Sequence, residues 1–302
     1  MILSVSRRTD IPAFYSEWFF NRLKEGFALV RNPMNFRQVS RVSLDPSVID
    51  CIVFWTKDPS KLLANLELLA DYHYYFQITI TGYEQIIEPN LPPTEEIVDS
   101  FKRLAKKIGT KRVIWRYDPI ILTRDLDINF HMANFTSLAA ALGGSSDRCV
   151  ISFLDLYKKT AHKMKKFGTS TISKSAMEEV AGHLVKEANH YGLSLETCSE
   201  EIDLDSLGIR HGKCIDPELI SEITGQRLDV PKDPNQRQAC GCARSVDLGA
   251  YNTCLHGCMY CYANYNEKAV KKQSALHNPS SPLLVGDIEP NDKITDRRRT
   301  LS

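Results

Sequence analysis

Along the first two hundred residues, short apolar runs rich in β-branched and aromatic side chains alternate with longer stretches whose apolar positions recur every three or four residues. The short runs predict strands over residues 2–6, 51–56, 75–81, 112–117, 149–154 and 193–197. The longer ones predict helices over 60–70, 94–108, 131–142 and 175–190. Strands separated by helices imply βαβ units around a parallel sheet. Roughly six or seven such units fit an α/β fold with a full or partial (β/α) TIM-like barrel, with a doubly wound open sheet as the alternative. A hairpin over residues 28–43 decorates the first unit, and the chain contains no internal repeat and no low-complexity segment.

Alternation inside the strands sorts polar from apolar side chains. In residues 76–81 the isoleucines alternate with Gln77, Thr79 and Thr81. The same parity groups Ser4, Ser6 and Arg8, sets Arg116 with Asp118, and sets Glu196 with Cys198. A barrel strand turns one face to its helices, so the polar set is expected in the lumen, near the C-terminal strand ends where barrel sites lie. For any one of these residues a buried, satisfied hydrogen bond is the plainer reading. Several converging on one rim point to a ligand site.

Composition narrows the picture. The 302 residues are 43% hydrophobic and 25% charged, as in an ordinary globular protein. Thirty-eight basic against 37 acidic residues leave a net charge of +1, which offers no global attraction for nucleic acid or an anionic membrane. The basic runs at 102–107 and 158–166 fall in helical stretches and read as solvated faces. The N-terminus lacks the pattern of a secretory signal, and no apolar run approaches the ~20 residues of a membrane span. A cytoplasmic protein with reduced thiols is therefore expected. Nine cysteines in such a compartment ask for a metal or redox explanation. Most of them lie beyond residue 197. The chain thus divides into β/α units over 1–200, a cysteine-rich region over 201–272 that completes the barrel, and an extended tail over 273–302 that packs on the surface or frays.

The strongest local signal is Cys254-Leu255-His256-Gly257-Cys258-Met259-Tyr260-Cys261, with spacing C-x3-C-x2-C and an aromatic residue before the last cysteine. Three thiolates on a short loop can hold three irons of a [4Fe–4S] cluster and leave the fourth open for small-molecule chemistry. Gly257 lets the loop backbone approach the cluster without a Cβ clash. A strand over 245–251 and a helix over 263–272 would place this loop on the rim of a βα unit. Zinc is the competing occupant, usually with four ligands, and Cys240 and Cys242 lie close enough in sequence to supply one more.

This trio, with its aromatic and its strand–loop–helix setting, resembles the cluster motif of the radical S-adenosylmethionine superfamily. The resemblance implies that the open iron chelates the amino and carboxylate groups of S-adenosylmethionine. Reduction, by a donor such as flavodoxin or ferredoxin, then yields a 5′-deoxyadenosyl radical that abstracts hydrogen from a substrate. In that superfamily the motif usually follows the first barrel strand, whereas here it lies near residue 260. A second stretch helps to explain the position. Ile78-Thr79-Ile80-Thr81, then Glu88-Pro89-Asn90-Leu91-Pro92-Pro93, then Asp118-Pro119-Ile120-Ile121 is similar to the middle barrel section of the spore photoproduct lyase-like branch. Together the two likenesses imply a circular permutation, with residues 245–272 as first unit and 2–6 as second strand. The close termini of a barrel make that geometrically cheap. The whole also resembles an uncharacterised family of such proteins with C-terminal cysteines. Cofactor contacts are then implied at Ser6, Arg8, Thr79, Thr81, Arg116 and Glu196, although the superfamily's Gly-Gly-Glu motif has no clean match here.

Four further cysteines, Cys198, Cys214, Cys240 and Cys242, come from three loops and can hold an auxiliary [4Fe–4S] cluster or a zinc ion. Cys51 and Cys149 sit in apolar strands and read as small buried hydrophobes. His256 either donates to a cluster sulfur or faces solvent. The sequence therefore predicts a radical S-adenosylmethionine enzyme of unidentified substrate. The rival expectation is a non-enzymatic protein stapled by metal, for instance one recognising nucleic acid through its basic helices and its aromatic segments.

Overall fold

Each strand of a parallel sheet has two faces to bury, and here the two faces take different side chains. The computed structural model describes residues 1–83, 85, 87–156, 158–169 and 171–297; the end of the predicted tail, 298–302, lies outside them. The elements run β1 (Ile2–Val5), α1 (Ile11–Phe14), α2 (Ser16–Glu25), β2 (Phe27–Asn32), β3 (Asn35–Ser43), β4 (Cys51–Thr56), α3 (Ser60–Leu63), β5 (Tyr74–Thr79), α4 (Thr94–Ile108) and β6 (Val113–Ile120). They continue with α5 (Ile128–Leu142), β7 (Arg148–Phe153), α6 (Lys158–Lys166), α7 (Lys174–His190), β8 (Ser194–Thr197), β9 (Arg210–His211), α8 (Pro217–Thr224), β10 (Val246–Asp247), α9 (Glu267–Ser274) and β11 (Lys293–Asp296).

Eight strands form one parallel sheet in the order β10-β1-β4-β5-β6-β7-β8-β9. The order advances along the sheet in one direction, with no reversal of the kind a doubly wound sheet contains. It is compatible with a partial (β/α) barrel, and the sheet is not closed, β10 and β9 being its two edges. The outward face buries Leu3, Phe54, Phe76, Trp115 and Ile151 in the main core beneath the helices. The inward face carries Ile2, Val53, Tyr75, Ile114 and Val150 toward its base, packed on Ile215 and Ile220. Toward the C-terminal ends the same face turns polar at Ser4, Gln77, Thr79, Arg116 and Ser152. The alternation read from the sequence is this change of face.

Helix α4 matches its predicted limits because its buried positions and its end charges agree. Ile97, Val98, Phe101, Leu104 and Ala105 are buried, Glu95 and Glu96 lie in the first turn, and Lys106 and Lys107 lie in the last, matching the helix dipole. The predicted helix over 60–70 instead breaks into α3 and a 3-10 turn at Leu66–Leu69, separated by Asn65 in a non-helical conformation. Tertiary burial of Leu62, Leu63, Leu66 and Leu69 outweighs helical continuity there. The hairpin β2–β3 is antiparallel as expected, and β11 adds a third, parallel strand to it. The described part of the tail is therefore packed, with Arg31 paired to Asp292 at 2.6 Å.

The expected strand over 245–251 is only the two residues of β10, paired with β1 at Leu3↔Val246 and Ser4↔Asp247. Asp247 then takes over from backbone pairing. Its carboxylate accepts from Ser4 Oγ (2.8 Å), Ser6 Oγ (2.6 Å) and the amides of Arg7 and Gly249 (both 2.9 Å). Gly249 cannot carry a side chain, since a Cβ there would lie 2.0 Å from Ser6 Oγ. Among the described residues no helix is long and apolar enough to cross a membrane.

Replacing Asp247 by Ala leaves four donors unmatched, and a loss of ~2–4 kcal/mol in urea-unfolding stability is expected. A second prediction concerns His131 of α5, which bridges Tyr117 Oη (2.8 Å) and the Ile121 carbonyl (2.9 Å). Burial holds it neutral, below its ordinary value of 6.5. Its contribution is present above pH 6.5 and is lost as the pH falls through the depressed folded value, because only the unfolded chain takes up the proton readily. Stability measured between pH 7.5 and 5 should fall, and His131→Gln should flatten that slope.

Candidate metal and cofactor site

A cavity of about 390 Å3 opens at the C-terminal ends of the inner strand face. Its volume lies in the range of small-molecule sites. Cys254, Cys258 and Cys261 line one part of it, and Cys198, Cys214, Cys240 and Cys242 another. Arg7, Trp55 and Arg116 also line it, with the two guanidinium groups 5.9 Å and 5.3 Å from the Trp55 ring. Four of the seven buried side-chain polar atoms that lack a hydrogen-bond partner among the described residues belong to cavity-lining residues: Thr9 Oγ1, Trp55 Nε1, Ser199 Oγ and His256 Nδ1.

The loop of the cysteine trio is clamped from the β5–α4 connection. The amide of Asn90 donates to the His256 carbonyl (3.2 Å), Asn90 Nδ2 to the Leu255 carbonyl (2.8 Å), and the Met259 amide to the Ile87 carbonyl (3.0 Å). Gly257 is required by this clamp. It sits at φ +73°, and a Cβ would come within 3.1 Å of both Pro89 and Asn90. The close approach expected at Gly257 is therefore made against this loop. Deeper in, Glu88 Oε1 accepts from Lys57 Nζ (2.7 Å) and from the Tyr260 hydroxyl, while Glu88 Oε2 accepts from Thr81 Oγ1 (3.0 Å). Burial by itself would lower the Lys57 ammonium, but Glu88, then Cys258, hold it above its ordinary value.

Backbone amides point at the sulfurs of this loop. His256 and Asp10 supply them to Cys254, and Ala263 and Asn264 supply them to Cys261. That use of residues 263 and 264 explains why the helix expected over 263–272 starts late, at Glu267 behind its Asn266 cap. Burial pushes all three thiols up, and each of Cys254 and Cys258 is raised further by its neighbouring cysteines. A cation among them reverses that preference. His256 is buried, its Nε2 2.7 Å from Asp10 Oδ2, so it neither faces solvent nor offers both nitrogens to partners. Asp10 also caps α1 through Ala13 (3.0 Å) and takes the Lys57 amide (2.7 Å), which ties β1 and β4 to the cysteine loop.

The second set of cysteines forms a run of contacts. Cys198 and Cys214 sulfurs lie 3.2 Å apart, and the Ile215 amide donates to Cys242 Sγ at 3.5 Å. The neighbouring Cys214 and Cys240, together with the Ile215 amide and Arg7, lower Cys242, and Cys214 lowers Cys198 to about 7. Arg116 Nη1 donates to Cys214 Sγ at 2.8 Å. Among the described residues no group of three or more His, Cys, Asp or Glu side chains stands ready to hold a metal ion.

Against known proteins, a model of a domain of unknown function, DUF1848, matches residues 2–263. The chain belongs to this family. No curated protein matches the DUF1848 chain. Among solved structures, it is similar to one from Bacteroides thetaiotaomicron described as a candidate alpha-L-fucosidase. Identity is 11%, coverage 60% of this chain and 84% of that one, and the TM-score of 0.26 is too low to carry an argument.

In the DUF1848 chain Ser6, Arg8, Thr79 and Arg116 line the cavity; Thr79 and Arg116 do so on the parity of their strands, whereas Ser6 and Arg8 lie beyond the end of β1. Thr81 and Glu196 do not. β5 ends at Thr79, so alternation no longer governs Thr81, which turns to Glu88. Glu196 is held by Arg148 (3.6 Å) and Arg210 (3.4 Å) at the β8–β9 edge. Ser6 and Arg116 are already committed, to Asp247 and to Asp118 and Cys214 respectively. Lys57, Asp10 and Trp55 were not singled out as site residues from sequence. Lys57 and Asp10 lie beyond strand ends, where the two-residue period gives no direction, and no motif marks them; Trp55 lies within β4 on the inward parity of Val53, where an aromatic reads as core.

Lys57→Met should cost the DUF1848 chain ~3–5 kcal/mol, because it leaves the Glu88 charge buried without its cation. Lys57→Met/Glu88→Gln should recover part of that loss, and a double-mutant cycle in urea measures the coupling.

Proposed function

We propose that this chain is a radical S-adenosylmethionine enzyme built on a partial, circularly permuted (β/α) barrel. The observation that carries the reading is that all three thiols of the C-x3-C-x2-C loop line the same cavity as the polar strand ends. The donors suit a [4Fe–4S] cluster: three soft sulfurs, two of them receiving backbone amides, the interaction that tunes iron–sulfur centres. A cubane spreads such thiolates over separate irons, so the trio need not converge on one ion. The permutation is supported by the sheet order, in which the C-terminal β10 precedes β1.

Cys254, Cys258 and Cys261 would hold the cluster, which in its reduced form supplies the electron for reductive cleavage of S-adenosylmethionine. The chain's own contribution is placement and exclusion of water. Glu88, Lys57 and Tyr260 fix the loop from behind, and Asp10 orients His256 through Nε2. Thr9 and His256, each with an unpartnered polar atom, and the cavity-lining Arg8 and Thr79 are the side chains left to bind cofactor and substrate. A flavodoxin- or ferredoxin-like donor in a reducing cytoplasm would deliver the electron.

Anaerobically prepared protein should be brown, with about four irons per chain assigned to the trio. With dithionite and S-adenosylmethionine it should form 5′-deoxyadenosine. Cys258→Ala should abolish both the irons and the product, whereas Cys51→Ala should keep them. A colourless protein that yields no 5′-deoxyadenosine defeats this reading and returns the chain to a metal-stapled binding protein.

A further inference from the structure

We infer that the cavity takes its substrate by a carboxylate group, gripped by the Arg7 guanidinium where it rests on the Trp55 ring. The binding site stands on the side chains present, and its role as a substrate anchor rests on the radical reading. Charge singles out Arg7. Five cations, Arg7, Arg8, Lys57, Arg116 and Arg237, line the cavity against three carboxylates, Asp10, Asp118 and Asp155. Four of the cations are answered: Arg116 by Asp118, Arg237 by Asp155, Lys57 by Glu88 (2.7 Å) and Arg8 by Asp247 (4.0 Å). Asp10 is spent on His256 Nε2 (2.7 Å) and on two backbone amides. Arg7 has no carboxylate in ion-pair reach among the described residues.

Hydrogen bonds do not use up the guanidinium either. Its Nη2 donates to Ser245 Oγ at 3.3 Å, and its other side-chain N–H groups meet no acceptor among the described residues. Those groups are not among the buried unpartnered atoms, so they open on the cavity that Arg7 lines. A half-buried cation without a countercharge costs free energy until an anion joins it.

Geometry narrows the anion. The Trp55 ring lies 5.9 Å from the Arg7 guanidinium and 5.3 Å from that of Arg116. Trp55 Nε1 is buried without a partner, so no hydrogen bond fixes the indole, and what it offers is a π-face for the two cations. A guanidinium seated on a ring has less freedom left to lose when it closes on a ligand. Its planar fork matches the two oxygens of a carboxylate. One uncommitted positive charge balances one carboxylate, whereas a phosphate, with a charge of about −1.5 to −2 at pH 7, is left partly unpaired. The Arg7 carbonyl accepts from the hydroxyl of Tyr262 (2.9 Å), next to Cys261, while the Arg7 side chain runs to Ser245 and Trp55. A molecule anchored there lies beside the cysteine trio without taking its sulfurs.

The test titrates butyrate into the full chain at constant ionic strength, with chloride as control, and follows binding by saturation-transfer NMR. Butyrate should bind the wild type and also Cys258→Ala, and S-adenosylmethionine should not displace it from iron-loaded protein. Arg7→Gln should weaken butyrate about tenfold or more, since it removes charged hydrogen bonds. Its urea midpoint should not fall, because no ion pair is broken. Should Arg7→Gln fail to fold, Arg7→Lys, which keeps the charge but not the fork, should still bind butyrate more weakly than the wild type. Binding no better than chloride, equal binding by wild type and variant, tighter binding of inorganic phosphate, or displacement by S-adenosylmethionine would overturn the inference. Failure of the radical reading appears separately, as absent 5′-deoxyadenosine while butyrate still binds through Arg7.

Discussion

β10 pairs with β1 through two residues, too few for backbone hydrogen bonds to fix a unit that carries a three-cysteine loop. The Asp247 carboxylate makes up the difference by accepting from two serines of the β1 end and two backbone amides. A buried carboxylate with several donors can sit in one place only, since each unmade bond costs the desolvation of its partner. The position of the cysteine loop over the inner strand face, and of Arg7 beside Trp55, follows from that register.

A second constraint acts from the opposite direction. The β5–α4 connection meets the cysteine loop through Ile87, Asn90 and Glu88, so the loop is held between β10 and β5. Lys57 and Asp10 add β4 and β1 to the same assembly. The buried charges here are paired, which converts an expensive desolvation into a specific arrangement. The loop's thiols are placed by four separate segments of chain.

The cavity that results is electrostatically divided. Neutral thiols raised by burial line one part, and sulfurs facing Arg7 and Arg116 line the other. The apolar base beneath, built from Ile2, Val53, Tyr75 and Ile114, keeps water from entering through the sheet. Unpartnered polar atoms gather on residues lining this space, as they do where a ligand supplies the missing bonds.

Much of this was legible in the residues alone. Periodicity gave the strand–helix alternation and α4 to the residue, because burial and terminal charges there agree. Spacing marked the trio and the second set of cysteines, and parity pointed Thr79 and Arg116 to the lumen. Parity failed for Thr81 and did not bring Glu196 into the cavity. Past a strand end the backbone no longer alternates, and a charged side chain goes to whichever countercharge tertiary contact offers. Sequence likewise carried no sign that Asp247, Lys57 and Asp10 hold the loop, since the contacts by which they do so, to Ser6, Glu88 and His256, span 31 to 246 positions along the chain. Local chemistry fixed which side chains exist; only the folded sheet, by bringing β10 against β1 and the β5–α4 loop against the cysteines, decided which of them meet.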